Sequence, residues 1–495
     1  MTVVAYFLFT RAPWTASTLH HSSQDFPERP SVDPIFNIDL TMEDMMARMR
    51  YRGLPASLVR FRKYGSTYQL AKWFKPTIHT MDMINIQSVW GSRWNEWGIQ
   101  PSRLPAMAPF CGKGFITTDG PVWQRSKALL APSFRGSNKY IHESFQTAVT
   151  DFLDKLPSDG ETVDLQPLFS LMFFKSAREF LLGAAALVKT DGSICPVSDA
   201  AFLEAFQGSM RGCGIRFMLG PLRFLVPKVL TFNHWRIVHQ YMDFYVELAL
   251  SNRATELSNQ SDNGMTGNKP QKPQSLLQNL AHHTDEAVEI RHQLIQAMMA
   301  AQDTTAALMS NTLFLLARNQ AILARLRDEV ASINTSKCRV EELKSPRLLH
   351  NTFSESLRLY PIFTGLGRTA LVDTILPNGG GPDRDQPVRV TAGTKLLANF
   401  YALHRNQDVF GLDVEEFRPD RWEQTHPNIW QYMPFGGGQR SCLGQQRARA
   451  DATFLLVKIL QTFGKIESRD DSGWAGDTRL TTWNANGCKV ALFRK

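Results

Sequence analysis

The sequence lacks the patterns that mark zinc sites and phosphate-binding loops. Its six cysteines stand at positions 111, 195, 213, 338, 442 and 488, so it contains no Cys-x-x-Cys pair, and a chain of 495 residues does not indicate a disulfide framework. The glycine-rich segment Phe435–Gly444 lacks the Gly-Lys-Ser/Thr ending of a P-loop. These absences argue against two common classes of metal and nucleotide site.

A long apolar run is also missing. Residues Thr2–Phe9 are apolar, but Thr10–Pro13 interrupts them. A membrane-spanning helix needs about 20 apolar residues. We therefore expect residues 1–40 to form an N-terminal segment without a complete membrane anchor or signal peptide.

The charge of the chain is positive but dispersed. Its 55 Lys and Arg residues exceed its 46 Asp and Glu residues by nine, and no dense basic block accounts for the excess. A dispersed charge does not favour nucleic acid as a partner. An acidic protein surface or an anionic lipid surface fits it better.

The glycine-rich loop Phe435–Gly444 contains a cysteine two residues before its end. A helical run from Gln445 to Phe463 follows, so backbone amides point at the Cys442 sulfur and favour its thiolate. Glycines let backbone approach a flat ligand closely, and one thiolate serves haem iron through an axial bond. A buried core cysteine and a phosphate loop are the alternatives, but neither explains Phe, Gly, Arg, Cys and Gly at this spacing.

The fixed positions of this loop are Phe435, Gly438, Arg440, Cys442 and Gly444. They resemble the haem-binding signature of the cytochromes P450, Phe-x-x-Gly-x-Arg-x-Cys-x-Gly. The resemblance implies that these residues bind haem b (iron protoporphyrin IX) and that Cys442 is the metal ligand. It also implies a cytochrome P450 fold, mainly α with a small β region, in a single large haem-thiolate monooxygenase domain over residues 41–495.

A long helix is predicted over Thr284–Arg318. Small side chains at i, i+3, i+4 and i+7 share one of its faces: Ala297, Ala300, Ala301 and Thr304. Tight helix packing is the usual cause of such a stripe. Ala300–Thr305 also resembles the family pattern Ala/Gly-Gly-x-Asp/Glu-Thr-Thr/Ser, with Ala301 where glycine is usual. The resemblance implies that Ala300 lies over the haem, that Asp303 relays protons and that Thr304 is the terminal donor. The alternative is that both polar side chains only bond to the helix backbone.

Trp123 and Lys127 lie four residues apart on a helix predicted to begin at Asp119–Pro121. Alone, they are typical of an ordinary amphipathic helix. The family has Trp-x-x-x-Arg at this point, donating to a haem propionate, so the resemblance implies that Trp123 and Lys127 bind the cofactor. Arg368 matches a second propionate contact.

Glu355 and Arg358 lie three residues apart and share a helix face. In isolation such a pair is most often a weak surface ion pair. Downstream, Phe417–Trp422 resembles the family's Pro-x-Arg-Phe/Trp segment. The resemblance implies that Arg421 joins the pair in a buried network that supports folding and haem seating.

The apolar helical segment Phe202–Leu250 has a loop-like centre, Phe217–Val226. It is either a core helix pair with solvated basic edges or, by position, the family's substrate lid, which often touches membrane. The polar stretch 251–274 is typical of a flexible surface linker. Apolar candidates for the substrate pocket are Phe115, Phe217, Ala297, Phe363 and Trp483.

The resemblance implies a monooxygenase that inserts one oxygen atom from O2 into a lipophilic substrate, namely a fatty acid, an alkane or a fungal secondary metabolite. The turn cluster Leu376–Asp383 with His404 and Arg405 resembles the fungal alkane and fatty-acid hydroxylase branch. We expect a long substrate, with an anionic end met by Arg211, Arg216 or Arg223.

We expect electrons to come from NADPH through a separate cytochrome P450 reductase, with cytochrome b5 as a further donor. The expected location is the cytosolic face of the endoplasmic reticulum membrane, by surface association or through a missing N-terminal anchor. The cytosol is expected if the start of the chain is genuine and the lid does not bind lipid. Two other functions stay open. A haem-thiolate isomerase or dehydratase needs no reductase, and the Asp303–Thr304 pair argues against it. A non-catalytic haem sensor would need neither the lid nor the long helix.

Overall fold

The computed structural model describes residues 26–29, 38–72, 75–135, 143–183, 194–227, 231–262, 275–335 and 340–495. The predicted N-terminal segment 1–40 is therefore described only at 26–29 and 38–40, and Cys338 lies outside the described residues. Within these ranges, no helix combines the length and the apolar character that crossing a bilayer requires.

Helices dominate, as apolar side chains at helical spacing predict. In chain order, α1 to α8 are Ile38–Met49, Gly53–Tyr64, Met83–Gln87, Gln100–Cys111, Gly120–Arg135, Glu143–Asp154, Leu165–Leu182 and Asp199–Leu219. Helices α9 to α16 are Phe232–Asp262, Leu276–His283, Ala287–Leu316, Gln320–Val330, Arg347–Leu359, Phe400–Leu403, Gln407–Phe410 and Gln445–Thr462. The prediction of a mainly α fold with a small β region is confirmed.

The strands are short. In chain order, β1 to β12 are Thr67–Lys72, Lys75–Thr80, Trp97–Gly98, Asp159–Asp164, Gly365–Ala370, Thr374–Gly380, Gln386–Val390, Lys395–Asn399, Phe463–Ser468, Gly476–Thr478, Thr482–Asn484 and Lys489–Arg494. One sheet has the order β1-β2-β8-β5-β3, in which only β2 and β8 run parallel. A second sheet has the order β4-β12-β9, and β6–β7 and β10–β11 pair separately.

The long helix α11 joins two hydrophobic clusters. Its segment Ala306–Leu316 packs with side chains from α6, α7, α13 and α16. Its segment Ile290–Met299 packs with side chains from α4, α8, α9 and α10. Each fully buried Leu, Met or Phe side chain stabilises the fold by roughly 1.5–3 kcal/mol. Helix α11 is therefore fixed by packing along most of its length.

Local capping signals set where the neighbouring helices begin and end. The Asp164 carboxylate accepts a hydrogen bond from the Gln166 amide at 3.0 Å, which starts α7. Helix α7 ends at Leu182 and is followed by Gly183, whose φ of +59° is the left-handed conformation that favours glycine. Ser275 and Gln278 form a reciprocal capping box at the start of α10.

Three predicted segments differ in the structure. The segment Phe202–Leu250 divides into α8 and α9, with a 3₁₀ turn at Gly220–Leu225 between them. Helix α9 continues to Asp262, so residues 251–262 are helical and do not form the predicted linker. The rest of that prediction, 263–274, lies outside the described residues. Helix α11 is shorter than the predicted Thr284–Arg318 at both ends.

Candidate functional site

The loop that carries Cys442 has a closed, defined shape. The Cys442 amide donates a 3.0 Å hydrogen bond to the Phe435 carbonyl. Gly438 has a φ of +66°, and a Cβ at this position would stand 2.0 Å from the Trp90 carbonyl oxygen. Both its backbone conformation and its contact with Trp90 therefore require glycine.

The Cys442 side chain reaches solvent, but protein atoms surround it closely enough that desolvation raises the pKa of its thiol. The amides of Gly444 and Gln445, where α16 begins, donate towards the sulfur and lower this pKa. Burial outweighs them, so the thiolate that the amides were expected to favour needs further stabilisation. A coordinated metal ion would supply it, because a thiol that binds a metal is deprotonated.

Helix α11 presents a small, open face at Ala300. The Ala300 side chain is exposed, whereas Ala297 and Gln302 are almost fully buried. An exposed alanine in a buried helix lets a flat ligand approach the backbone closely.

Three arginines share one carboxylate near this loop. Arg440 donates a 2.6 Å hydrogen bond to Asp119, and Arg103 and Arg368 interact electrostatically with the same carboxylate. Burial, followed by the charges of Arg103 and Arg440, lowers the pKa of Arg368 well below its usual value. Burial lowers the pKa of Arg440 to about 10, although Asp119 opposes this change. The cluster carries an excess of positive charge and therefore favours an anionic ligand.

Sequence reasoning missed Arg103 and Asp119. The sequence indicates Asp119 only as the start of α5, but its carboxylate accepts hydrogen bonds from the amides of Ile99 and Gln100 at 2.9 and 2.7 Å, where α4 begins. It also binds Arg440, which lies 321 residues away in the chain. No spacing within the sequence signals a contact of this kind.

Trp123 contacts two cations. Lys127 Nζ is 5.0 Å and Arg440 Cζ is 4.2 Å from the centre of its ring system, distances typical of cation–π contacts. Lys127 also donates a 2.8 Å hydrogen bond to the Gln439 carbonyl. Trp123 and Lys127 thus share a helix face and contact the segment just before Cys442.

The donor set of this region fits haem b. Haem b carries two propionates, and guanidinium groups bind carboxylates strongly. Arg440 Nη1 is buried and has no hydrogen-bond partner among the described residues. No group of three or more His, Cys, Asp or Glu side chains in the described ranges is placed to hold a metal ion. A metal bound by Cys442 therefore needs its other ligands from a cofactor, and a porphyrin provides them.

Asp303 and Thr304 contact different parts of the protein. Thr304 Oγ1 donates a 2.9 Å hydrogen bond to the Ala300 carbonyl. This contact is the one expected if Thr304 only bonds to the helix backbone. Asp303 faces Arg479 and Thr481 beside the β10–β11 hairpin. Burial raises the pKa of Asp303 to about 6, although both of these neighbours lower it. This carboxylate can therefore take up and release a proton near neutral pH.

Glu355, Arg358 and Arg421 form a fully buried network. Arg358 donates to the two Glu355 carboxylate oxygens at 2.9 and 2.8 Å, and Arg421 donates to one of them at 3.2 Å. Further donors to this carboxylate are Trp422 Nε1 and the Arg418 amide, at 3.0 and 3.1 Å. Such complete pairing is what makes a buried ionic network tolerable.

The remaining groups of both arginines also have partners. Arg358 donates to the carbonyls of His404, Val414 and Glu416 at 2.7–3.2 Å. Arg421 donates to Asp413 and to the Phe410 carbonyl. The network thereby fixes α13 against the segment that follows α15.

The predicted pocket residues lie in different surroundings. Ala297 belongs to the cluster around the first half of α11, and Phe115 and Phe217 pack against that cluster. Trp483 belongs to the other cluster and also lines a cavity beside the β10–β11 hairpin. Phe363 is 37% exposed. A role in substrate binding stays a prediction for all five.

Comparisons with known proteins agree on one family. A family model described as Cytochrome P450 matches residues 54–475. The chain is 34% identical over 478 residues to cytochrome P450 monooxygenase himC of Aspergillus japonicus, covering 96% of this chain and 84% of that protein. It is 34% identical over 468 residues to cytochrome P450 monooxygenase FPY7 of Fusarium mangiferae, covering 94% and 88%. It is 32% identical over 437 residues to cytochrome P450 52A13 of Debaryomyces hansenii, covering 84% and 82%.

Proposed function

Because the chain belongs to the cytochrome P450 family and is a monooxygenase of that family, we propose that it inserts one oxygen atom from O2 into a lipophilic substrate. A fatty acid, an alkane and a fungal secondary metabolite are the substrate classes we propose. The single observation that carries the proposal is the Cys442 loop, in which every signature position is filled and the Cys442 amide closes on Phe435.

Haem b would lie between α11 and the Cys442 loop. Cys442 would ligate the iron, and Phe435, Gly438 and Gly444 would shape the loop around it. The propionates would meet donors from four elements, namely Arg103, Trp123, Lys127, Arg368 and Arg440. When bound, a thiolate-ligated haem supplies the activation of dioxygen and the transfer of oxygen.

The protein's own contribution would be protons and a dry pocket. Asp303 would take a proton from solvent on the hairpin side of α11. Thr304 Oγ1 would accept that proton through a water molecule and at the same time donate its own hydroxyl proton on the haem side. The raised pKa of Asp303, about 6 because of burial, suits a group that exchanges protons near neutral pH. The apolar candidates Phe115, Phe217 and Phe363 would exclude water from the substrate.

Electrons would come from NADPH through a separate reductase, with cytochrome b5 as a further donor. The net charge of +9 would steer the chain towards an acidic partner surface. An association with the cytosolic face of the endoplasmic reticulum membrane would use the lid between α8 and α9. Exposed apolar side chains of that region are Ile215, Met218, Phe224, Leu225 and Phe232.

The test is the absorption spectrum of the reduced, carbon monoxide-bound holoenzyme, followed by turnover with a reductase. The wild-type protein should show the red-shifted band of a thiolate-ligated haem, and Cys442→Ser should lose it. Cys195→Ser, which changes a partly buried cysteine elsewhere, should keep it. With labelled dioxygen, NADPH consumption should place one labelled oxygen in the product. Product formed without a reductase would instead support an isomerase or dehydratase.

A further inference from the structure

A cavity of about 270 Å³ lies between α7, α8, α11 and the β10–β11 hairpin. Buried Phe206, Thr481 and Trp483 form its inner end. Exposed Arg211 and Arg479 stand at its outer end. The cavity therefore leads from a mouth with two arginines to an inner end with two aromatic side chains. Its wall also carries polar side chains, among them Asp303 and Asp477.

The size of the cavity limits what it can hold. Pockets that enclose a whole drug-sized ligand have volumes of roughly 300–1,000 Å³, and this cavity is slightly smaller. It is therefore suited to one end of an elongated ligand. Asp303 lines it, so the cavity reaches the turn of α11 that carries the proposed proton-transfer residues.

The cations at the mouth differ in their partners. Arg479 donates from Nε to Asp477 at 2.8 Å, and its Nη2 lies 2.7 Å from the same carboxylate. Arg479 also lowers the pKa of Asp303 by its charge. Arg211 has no hydrogen bond or ion pair to any residue in the described part of the chain. Arg211 is thus the cation at this mouth that a ligand can engage without breaking an existing contact.

Two further arginines, which the sequence also offers to an anionic end of the substrate, already bind the backbone. Arg216 donates from Nε to the Ala106 carbonyl at 2.8 Å and from Nη2 to the Pro105 carbonyl at 3.0 Å. Arg223 donates to the Gly220 carbonyl at 3.1 Å. Both therefore hold the lid against its surroundings, and neither lines the cavity.

We propose that this cavity is a subsite for an acidic oxygen group of the substrate, such as a carboxylate or an acidic enol, and that Arg211 is the residue that recognises it. The proposal rests on the proposed function and narrows its substrate class. The acidic group lies at the mouth beside Arg211, and the apolar body of the substrate runs inward past Phe206 and Trp483 towards α11. A guanidinium group pairs with two anionic oxygens at once, which gives orientation as well as affinity.

The test is a binding titration of the haem-loaded protein, read by the haem spectral shift and independently by calorimetry. The probes are dodecanoic acid, hexadecanoic acid and abietic acid, each compared with its own methyl ester. At least one acid should bind more tightly than its ester to the wild type. Arg211→Gln should weaken the binding of that acid by roughly tenfold to a hundredfold and change the binding of the ester by no more than about twofold. Arg211→Lys should retain part of the preference because the charge remains.

The matched control is Arg236→Gln, which removes an exposed lid cation that does not line the cavity. It should leave acid and ester binding unchanged. The proposal is overturned if no acid binds more tightly than its ester. It is also overturned if Arg211→Gln and Arg236→Gln weaken the binding of the acid equally. The proposed function stands in either case if neutral lipophilic compounds are oxygenated with NADPH and a reductase. Failure of that turnover would count against the proposed function alone.

Discussion

Arg440 donates a 2.6 Å hydrogen bond to Asp119 and thereby ties the loop that carries Cys442 to the segment before α5. The same carboxylate binds the Ile99 and Gln100 amides at the start of α4. Asp119 is thus a junction between three parts of the chain. It also compensates a share of the positive charge of Arg103 and Arg368.

The first prediction concerns this junction. Asp119→Asn keeps the size of the side chain but removes the carboxylate that the arginines share. We expect the haem-free protein to lose about 1.5–3 kcal/mol of unfolding free energy, the range for hydrogen bonds to charged groups. The haem-loaded protein should lose less, because propionates would supply compensating charge. Urea unfolding of both forms measures the difference, and an equal loss in both would argue against propionate binding here.

The second prediction concerns Gly438. Gly438→Ala places a Cβ 2.0 Å from the Trp90 carbonyl oxygen and keeps a φ of +66°. Since neither backbone can yield easily, the loop should shift, and the protein should retain much less haem. Absorbance of the purified protein measures haem per chain. Gly473→Ala is the control, because a Cβ there meets nothing within 4 Å. Equal haem content in both variants would mean that the loop adapts without consequence.

Residues with a fixed local spacing were predictable from the sequence, and residues that meet only in the fold were not. Trp123 and Lys127 lie four apart and Glu355 and Arg358 three apart, so helix geometry brings each pair together. Arg421 binds Glu355, which lies 66 residues away in the chain. This contact was predicted only because the segment around Arg421 resembles a family segment.

The contacts of Asp119 and Asp303 had no such marker. Asp303 meets Arg479 and Thr481 beside a hairpin near the C-terminus. Asp303 and Thr304 are neighbours on the helix and therefore point in different directions, which predicts only that the Asp303 side chain does not lie on the haem face. Which side chain lies beside Asp303 depends on how β10 and β11 pack against α11, and the sequence carries no periodic signal for that packing.

The third prediction concerns the buried network. Glu355→Gln leaves Arg358 and Arg421 buried without their shared anion, so it should destabilise the protein by about 3–5 kcal/mol. The control is Arg389→Gln, which breaks an exposed ion pair with Asp373 and should leave stability nearly unchanged, because solvent screens such pairs. Urea unfolding monitored by tryptophan fluorescence gives both values. Similar values for the two variants would mean that the network adds little.

The fourth prediction is a pH dependence of stability. Burial raises the pKa of Asp303 from 3.8 to about 6, so the folded state holds this proton more tightly than the unfolded state. The resulting stabilisation is complete below about pH 3.8 and is lost as the pH rises through about 6. Relative to Asp303→Asn, the wild type should therefore lose about 1–2 kcal/mol of unfolding free energy between about pH 5 and about pH 8.

A second variant sharpens this measurement. Arg479→Gln removes the cation that lowers the pKa of Asp303, so the pKa should rise further and the loss of stability should extend to higher pH. Denaturant titrations at several pH values follow all three proteins. Parallel pH profiles for the wild type and Asp303→Asn would show that the Asp303 proton is not linked to folding.

The last prediction separates proton delivery from a structural role for Thr304. Its hydroxyl donates to the Ala300 carbonyl at 2.9 Å, so its oxygen can still accept a hydrogen bond from water and relay a proton after rotation. Thr304→Ala should bind haem and substrate and consume NADPH, but release mainly hydrogen peroxide, because general acid work contributes roughly 10²–10⁴-fold. Thr304→Ser keeps a hydroxyl and should keep most of the product. The amount of product formed per NADPH consumed distinguishes proton delivery from a structural role. If Thr304→Ala matches the wild type, the hydroxyl serves only the helix backbone, and proton delivery must use a route that does not pass through Thr304.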